Sequence, residues 1–190
     1  RAALSGHTGV RCVVQEPQLG TAHALLTMEP VLGDSSGDVV LLSGDVPLLS
    51  PGTLERLVDL HRRRQAAATV VTAFLANPRG YGRVVRSGGG IARIVEEKDA
   101  STAEREIREI NSGIYAFALG GLFEAVKAIA SANAQKEYYL PDLVSIYHQQ
   151  GRIVETVAVS DPDEIRGINS RVELAELSHI VRAQKNAGLM

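Results

Sequence analysis

Short apolar runs alternate along the chain with amphipathic segments. Four runs rich in β-branched residues predict strands: Val10 to Gln15, Val39 to Ser43, Thr69 to Leu75 and Ile153 to Val159. The first three lack a clean alternation, which is typical of strands covered on both faces. Apolar positions at helical spacing predict helices over Thr21 to Met28, Thr53 to Arg64, Leu122 to Ala130, Leu140 to Gln149 and Ser170 to Lys185. This order predicts an α/β fold with a largely parallel sheet.

The middle of the chain departs from this rhythm. Tyr81 to Arg86 and Ile91 to Glu97 flank the glycine-rich run that ends at Gly90, which predicts an antiparallel hairpin inserted into the sheet domain. The segment from Gly113 to Ala118 is expected to return the chain to the main sheet. The predicted sheet is therefore mixed, mostly parallel, with an inserted β-hairpin.

Composition limits the class of protein. The 190 residues, 45% hydrophobic and 22% charged, fit one globular domain of ordinary size. A net charge of -2, 4% aromatic residues and no Trp leave no basic footprint and no set of stacking platforms, so we expect no nucleic-acid partner. The single cysteine, Cys12, fits a reducing compartment, and no apolar stretch is long enough for a membrane span. We expect a cytoplasmic location, no membrane partner and, because the chain starts at Arg1 without methionine, a piece of a longer protein.

The most informative carboxylate is Asp45. It follows the apolar run Val39 to Ser43 and precedes Pro47, which prevents the strand from simply continuing. This order puts Asp45 at the carboxyl edge of the sheet, where open α/β folds bind ligands and where a carboxylate could hold Mg²⁺ against phosphates. A residue that merely closes a turn fits the same pattern.

Other polar residues precede predicted elements. Gly20 and Thr21 open a helix whose free N–H groups could dock an anion or a base edge, although a plain helix start with Thr21 as its cap fits the pattern better. Gly82 beside an aromatic residue could let a sugar ring approach the backbone, and Glu96 could accept hydrogen bonds from sugar hydroxyls or be an ordinary strand-end charge. Asn111 and Asn169 could be caps. No Ser/His/Asp or Cys/His arrangement predicts covalent catalysis, so no catalytic residue is assigned.

Seven blocks, in order, resemble one known family. They are QEPQLGTAHA, LLSGDVPLL, NPRGYGRVVR, IVEEKDA, EINSGIYAF, EYYLPDL and GINSR. The chain resembles the uridyltransferase half of the bacterial bifunctional N-acetylglucosamine-1-phosphate uridyltransferases and glucosamine-1-phosphate acetyltransferases over nearly its whole length. The resemblance implies a nucleotide-diphospho-sugar transferase fold, which is Rossmann-like.

The resemblance also implies a reaction and a set of site residues. UTP and N-acetylglucosamine 1-phosphate would give UDP-N-acetylglucosamine and pyrophosphate for cell-envelope precursor synthesis, with Mg²⁺ as cofactor and no covalent intermediate. Asp45 and Asn169 would be the metal ligands. The expected substrate contacts are, from nucleoside to sugar, Gln15, Gly20, Thr21, Gly44, Gly82, Glu96, Asn111 and Asn169. Lys98 is a weaker candidate for a phosphate contact.

Several features depart from the family pattern. Ser43 stands where some relatives carry Tyr, and the family's Gly-rich loop, its catalytic lysine and its carboxyl-terminal β-helix do not occur in this sequence. We therefore expect residues 1–169 to form a partial nucleotidyltransferase domain and 170–190 a connector helix. The piece alone should be weakly active or inactive, and the parent protein a homotrimer. A pyrophosphorylase for another sugar or base and a non-catalytic sugar-nucleotide-binding domain are the alternatives.

Overall fold

A computed structural model describes residues 6–168 and 170–187 of the chain. Six strands form one sheet: β1 (Asp38–Leu41), β2 (Ala68–Phe74), β3 (Arg83–Ser87), β4 (Gly90–Val95), β5 (Glu109–Ala118) and β6 (Val154–Ala158). The α-helices are α1 (Thr21–Leu26), α2 (Glu29–Leu32), α3 (Pro51–Arg64), α4 (Thr102–Arg105), α5 (Leu122–Lys127), α6 (Asp142–Gln149) and α7 (Arg171–Ala187). A 3₁₀ turn covers Pro162–Ile165.

The sheet is mixed, as expected, but most of its neighbouring strands pair antiparallel and not parallel as predicted. β5 lies in the middle and runs antiparallel to β1, β2 and β3, and only the β2–β6 pairing is parallel within the described residues. β1, β2, β3 and β6 do run in one direction. Because β5 is inserted among them in the opposite direction, a shared strand direction does not produce parallel ladders. The α/β class and the inserted hairpin are confirmed.

One predicted strand does not form, and a second forms but is less buried than predicted. Val10 to Gln15 forms no strand, and Val10, Val13 and Val14 are 40–62% exposed. A β-branched run becomes a strand only beside another strand, and none lies next to it within the described part of the chain. β1 does form but is half-exposed rather than covered, since it has a single sheet neighbour there, β5.

The hairpin forms where the glycines predict it. Gly88 and Gly89 both have positive φ, 60° and 84°, as a tight turn between twisted strands requires. Next to this turn, the Arg86 guanidinium donates to both carboxylate oxygens of the buried Glu109 at 2.7 and 2.6 Å. At the base of the hairpin, Arg83 pairs with Ile110 of β5. The hairpin therefore holds its first residues at a fixed place beside β5.

The core occupies both faces of the sheet. β2 is buried along almost its whole length, which confirms a strand covered on both sides. On one face Tyr115, Phe117 and α6 pack together, and on the other Ile110 and Ile114 pack against α3 and the 3₁₀ turn. The helix predictions hold with shifted ends: the first predicted helix, Thr21 to Met28, corresponds to α1, and α2 begins beyond its predicted end. No helix among the described residues is long and apolar enough to cross a membrane.

Candidate active site

A cavity of about 350 Å³ lies where the hairpin base, β5 and the segment before α6 meet. Thr21, Gly82, Glu96 and Asn111, all expected substrate contacts, line it together. The other lining residues form four groups: Leu41 and Ser43; Gly80 and Tyr81; Ser112, Gly113 and Tyr115; and Gln135, Glu137, Tyr139, Leu140 and Pro141. Residues distant in sequence thus converge on one opening.

Gly82, Glu96 and Asn111 are in direct proximity. The Gly82 carbonyl accepts a 2.9 Å hydrogen bond from the Asn111 amide N–H, so the hairpin and β5 are joined at the cavity. A Cβ atom at position 82 would lie 3.0 Å from Glu96 Oε1 and 3.2 Å from Ile94 Cγ2. A larger residue would push the Glu96 carboxylate from its place, and the glycine keeps both backbone and carboxylate open to a ligand.

Glu96 sits in an acidic and partly desolvated environment. Burial is the largest cause of a raised pKa for its carboxyl group, and the negative charges of Asp142 and Asp99 raise it further. The Asp142 pKa is raised by burial and by Asp99 in the same way. A carboxyl group whose charged form is disfavoured in this way, and which lines an open cavity, is typical of a ligand-binding site.

Asp45 lines a second cavity of about 250 Å³ that adjoins the first. The two cavities share Ser43, Gly80, Tyr81 and Ser112. Asp45 is exposed after β1, as predicted, and its carbonyl accepts a 2.9 Å hydrogen bond from the Ile168 N–H. The chain segment that precedes α7 is thus attached beside this carboxylate.

The donor set at Asp45 fits a divalent metal that is shared with phosphates. A carboxylate oxygen is a hard ligand, and Mg²⁺ in nucleotide sites needs only one or two of them because phosphates and waters complete its shell. The part of the chain that the structure describes holds no cluster of three or more His, Cys, Asp or Glu residues that could bind a metal ion. Asn169, the other expected ligand, lies outside the described residues.

The expected nucleoside contacts form a compact turn. Gln15 Nε2 donates to the Gly20 carbonyl at 2.9 Å and contacts His23 Nδ1 at 3.1 Å. Thr21 does not cap its helix as the simple alternative required; instead its hydroxyl accepts from the Leu140 N–H at 3.0 Å. Gln15, Gly20 and Gly44 line neither cavity. Of the four expected nucleoside contacts, Thr21 alone lies in the main cavity with Gly82, Glu96 and Asn111.

Glu97 and Lys98, which follow Glu96 in the sequence, line neither cavity. Glu97 accepts from the Gly80 N–H and pairs with the buried Arg83 at 3.1 Å, and the Gly80 hydrogen bond lowers the Glu97 pKa. Glu97 therefore fixes the hairpin base rather than facing the cavity. Lys98 is exposed and lines neither cavity, so its phosphate role remains a prediction.

The comparison with protein families decides the class. The model of the family described as nucleotidyl transferase matches residues 4–161. The chain belongs to the nucleotidyl transferase family. Members of this family generally use a divalent metal and act on nucleotide and sugar-phosphate substrates.

Individual relatives agree with this membership and confirm the resemblance drawn from the seven blocks. The bifunctional protein GlmU of Pelotomaculum thermopropionicum is 51% identical over 93% of the chain, and that of Syntrophotalea carbinolica is 49% identical over 95%. The chain spans 39% of the length of either relative.

Solved structures agree in fold. A crystal structure from Bacillus anthracis, described as that of a glucose-1-phosphate thymidylyltransferase, superimposes with a TM-score of 0.67. The two sequences are 19% identical, and the match covers 89% of this chain and 63% of that one. A UDP-glucose pyrophosphorylase gives 0.65 at 20% identity, over 90% and 64%. These likenesses confirm the nucleotidyl transferase fold.

Sequence reasoning missed three polar residues that line these two cavities. Tyr139 is buried in the wall of the main cavity, and its hydroxyl has no hydrogen-bond partner among the described residues. Tyr115 bonds to Asn111 inside the same cavity, and Arg79 lines the cavity of Asp45. All three residues lie in blocks that carry the resemblance, namely EYYLPDL, EINSGIYAF and NPRGYGRVVR, but no spacing rule brings them to Glu96 or Asp45.

Proposed function

We propose that this chain carries the sugar site and one metal ligand of a uridyltransferase. The enzyme would transfer a uridylyl group from UTP to N-acetylglucosamine 1-phosphate, with release of pyrophosphate. The observation that carries the proposal is the main cavity, in which an amide side chain and a carboxylate flank the open backbone of Gly82. This combination suits a sugar that presents both an acetamido group and hydroxyls.

The two adjoining cavities suit the two halves of the reaction. A sugar held by Asn111 and Glu96 would direct its phosphate towards the shared wall at Ser43 and Gly80, beyond which Asp45 lies. A phosphate oxygen of the sugar phosphate then attacks the α-phosphorus of UTP, and the bond to the pyrophosphate oxygen breaks. No proton has to be removed from a phosphate dianion, so positioning carries most of the catalysis.

Mg²⁺ is the divalent metal that we propose, with Asp45 and Asn169 as its protein ligands. When bound, it would screen the charge between the attacking phosphate and the triphosphate. Arg79, on the edge of the same cavity, supplies a positive charge where phosphates would lie. Gln15, Gly20, Thr21 and Gly44 remain the proposed nucleoside contacts.

The proposal extends to the protein as a whole. We propose a cytoplasmic, homotrimeric parent in which residues 1–169 belong to the nucleotidyltransferase domain and 170–190 connect to a β-helix. A Gly-rich loop and a lysine, which the resemblance implies for the triphosphate, would come from a segment upstream of this sequence.

The experiment that tests the proposal measures pyrophosphate release from UTP with N-acetylglucosamine 1-phosphate or glucose 1-phosphate. It uses this chain and a longer form that carries the Gly-rich loop and lysine, each with and without Mg²⁺. We expect Mg²⁺-dependent release in the longer form, with N-acetylglucosamine 1-phosphate preferred. Asp45→Asn, which is similar in size, should keep the fold and lower the rate by about a hundredfold or more.

The possible outcomes separate the alternatives. Release with glucose 1-phosphate at an equal or higher rate would mean a pyrophosphorylase for another sugar. Silence of the folded longer form with both sugars would favour a binding domain. Near-normal turnover of Asp45→Asn would remove Asp45 from the metal site.

A further inference from the structure

The amide group of Asn111 lies in the main cavity with a fixed orientation. The residue is only 8% exposed, and its backbone N–H is already bonded to the Gly82 carbonyl at 2.9 Å. Its side-chain Oδ1 accepts a 3.1 Å hydrogen bond from the Gly113 backbone N–H. Because a backbone N–H can only donate, the atom that faces it must be the amide oxygen and not the nitrogen.

The hydroxyl of Tyr115 completes this arrangement. It lies 2.8 Å from the same Oδ1 and must therefore be the donor. With both lone pairs of Oδ1 engaged, the NH₂ group is the part of the amide left for a ligand. No residue that the structure describes bonds to Nδ2, and Asn111 lines the cavity.

Tyr115 is held rigidly in its place. It is 2% exposed, and its ring stacks on Phe117 with centroids 5.2 Å apart and planes 15° apart. Burial raises the Tyr115 pKa far above its usual value, so the phenol keeps its proton and remains a donor. The bulge in β5 opposite Val70 and Thr72 brings Gly113 and Tyr115 to the same amide oxygen.

We infer that Tyr115 is a positioning residue that fixes the Asn111 NH₂ group towards the ligand and so makes the cavity selective for an N-acetyl sugar. The inference rests on the proposed function. An acetamido carbonyl extends further from the ring than a hydroxyl and accepts hydrogen bonds only. A fixed NH₂ donor fits it, whereas an amide free to turn would present its oxygen and repel it. A sugar without the acetyl group leaves this donor unpaired.

The test compares Tyr115→Phe with Tyr147→Phe. Tyr147 is a matched control because it is equally buried, its hydroxyl has no partner within the described residues, and it does not line the cavity. The affinities of N-acetylglucosamine 1-phosphate and glucose 1-phosphate are measured by titration calorimetry on the chain and both variants. We expect Tyr115→Phe to lower the N-acetyl preference about three- to tenfold, as for one lost orienting hydrogen bond, and Tyr147→Phe to leave it unchanged.

The outcomes distinguish the inference from the function beneath it. An unsubstituted chain without preference for the N-acetyl sugar contradicts the proposed function and the inference together. A chain that has the preference and keeps it in Tyr115→Phe contradicts the inference alone. An equal loss of affinity for both sugars would also contradict it, because that result means general damage to the cavity.

A second measurement does not depend on a folded variant. In the unsubstituted chain, NMR should show a nuclear Overhauser effect between the Tyr115 hydroxyl proton and the Gly113 amide proton, and none from the Asn111 Nδ2 protons to Gly113. Strong effects between the Nδ2 protons and the Gly113 amide proton would mean that the amide is turned the other way and would overturn the inference.

Discussion

At the residue scale, the two neighbouring glutamates of the hairpin have opposite environments. Burial and two nearby carboxylates raise the pKa of Glu96, whereas the Gly80 N–H and Arg83 lower that of Glu97. One glutamate is thus destabilised in its charged form and the other stabilised. Adjacent residues of the same type consequently have different surroundings: Glu96 lines the main cavity, and Glu97 holds the hairpin base.

The opposite shifts predict opposite effects of pH. A raised pKa means that the folded protein holds the Glu96 proton more tightly, so stability falls as pH rises from 4.5 to the raised value. Glu96→Gln should therefore unfold at higher urea concentrations than the parent at pH 7 and at similar ones below pH 4.5. A difference that is the same at every pH would contradict this account of Glu96.

Glu97→Gln is the matched comparison. A lowered pKa gives stability that is present above 4.5 and lost as pH falls through the folded value. The variant should be less stable than the parent at pH 7, with the difference shrinking in acid. If both glutamine variants shift in the same direction at pH 7, the opposed environments are wrong.

At the element scale, the turn before α1 depends on one glycine. Gly20 has φ 107° and ψ 178°, and a Cβ there would lie 2.6 Å from the Tyr138 carbonyl oxygen. The close approach lets the Leu19 carbonyl and the Ala22 N–H bond to the Tyr138 backbone at 2.9 Å each. Gly20 thus lets the turn that holds the expected nucleoside contacts pack against the segment that forms a wall of the main cavity.

Gly20→Ala should lower the free energy of unfolding by about 2 kcal/mol or more, since an L side chain meets both a forbidden φ and backbone atoms. Gly52→Ala, in the first turn of α3 with no atom within 4 Å, should change it by less than about 1 kcal/mol. Urea denaturation of both variants measures the difference. Equal stabilities would contradict the claim that this close approach requires glycine.

Some elements of the fold were predictable from the sequence and others were not. The hairpin was predictable because Gly88 and Gly89 provide the backbone freedom that its turn requires. The direction of β5 was not, because β-branched runs look alike whichever way a strand runs. Val10 to Gln15 was misassigned because a strand depends on a neighbour, which local pattern does not supply.

The site was predictable to a similar degree. The resemblance identified Gly82, Glu96 and Asn111, which the structure brings into one cavity, although their roles remain predictions. Tyr115 and Tyr139 were not found, since a buried tyrosine in an apolar run is ordinarily core. Only the fold shows that their hydroxyls lie beside Asn111 or in the cavity wall.

At the scale of the whole molecule, the sheet brings polar residues from two regions of the chain to adjoining cavities. The hairpin and β5 line the main cavity, and the turn after β1 places Asp45 in the second. We propose, above all, that the cavity at Gly82, Glu96 and Asn111 holds the N-acetyl sugar. That claim concerns this chain alone and can be tested without turnover.

The most direct measurement is a titration of the ¹⁵N-labelled chain with N-acetylglucosamine 1-phosphate, followed by amide chemical shifts. We expect saturable shifts centred on Gly82, Asn111 and Gly113, with smaller changes at the apolar groove beside Leu19 and Val126. Shifts centred on that groove, or no saturable shift at millimolar ligand in the folded chain, would contradict the claim.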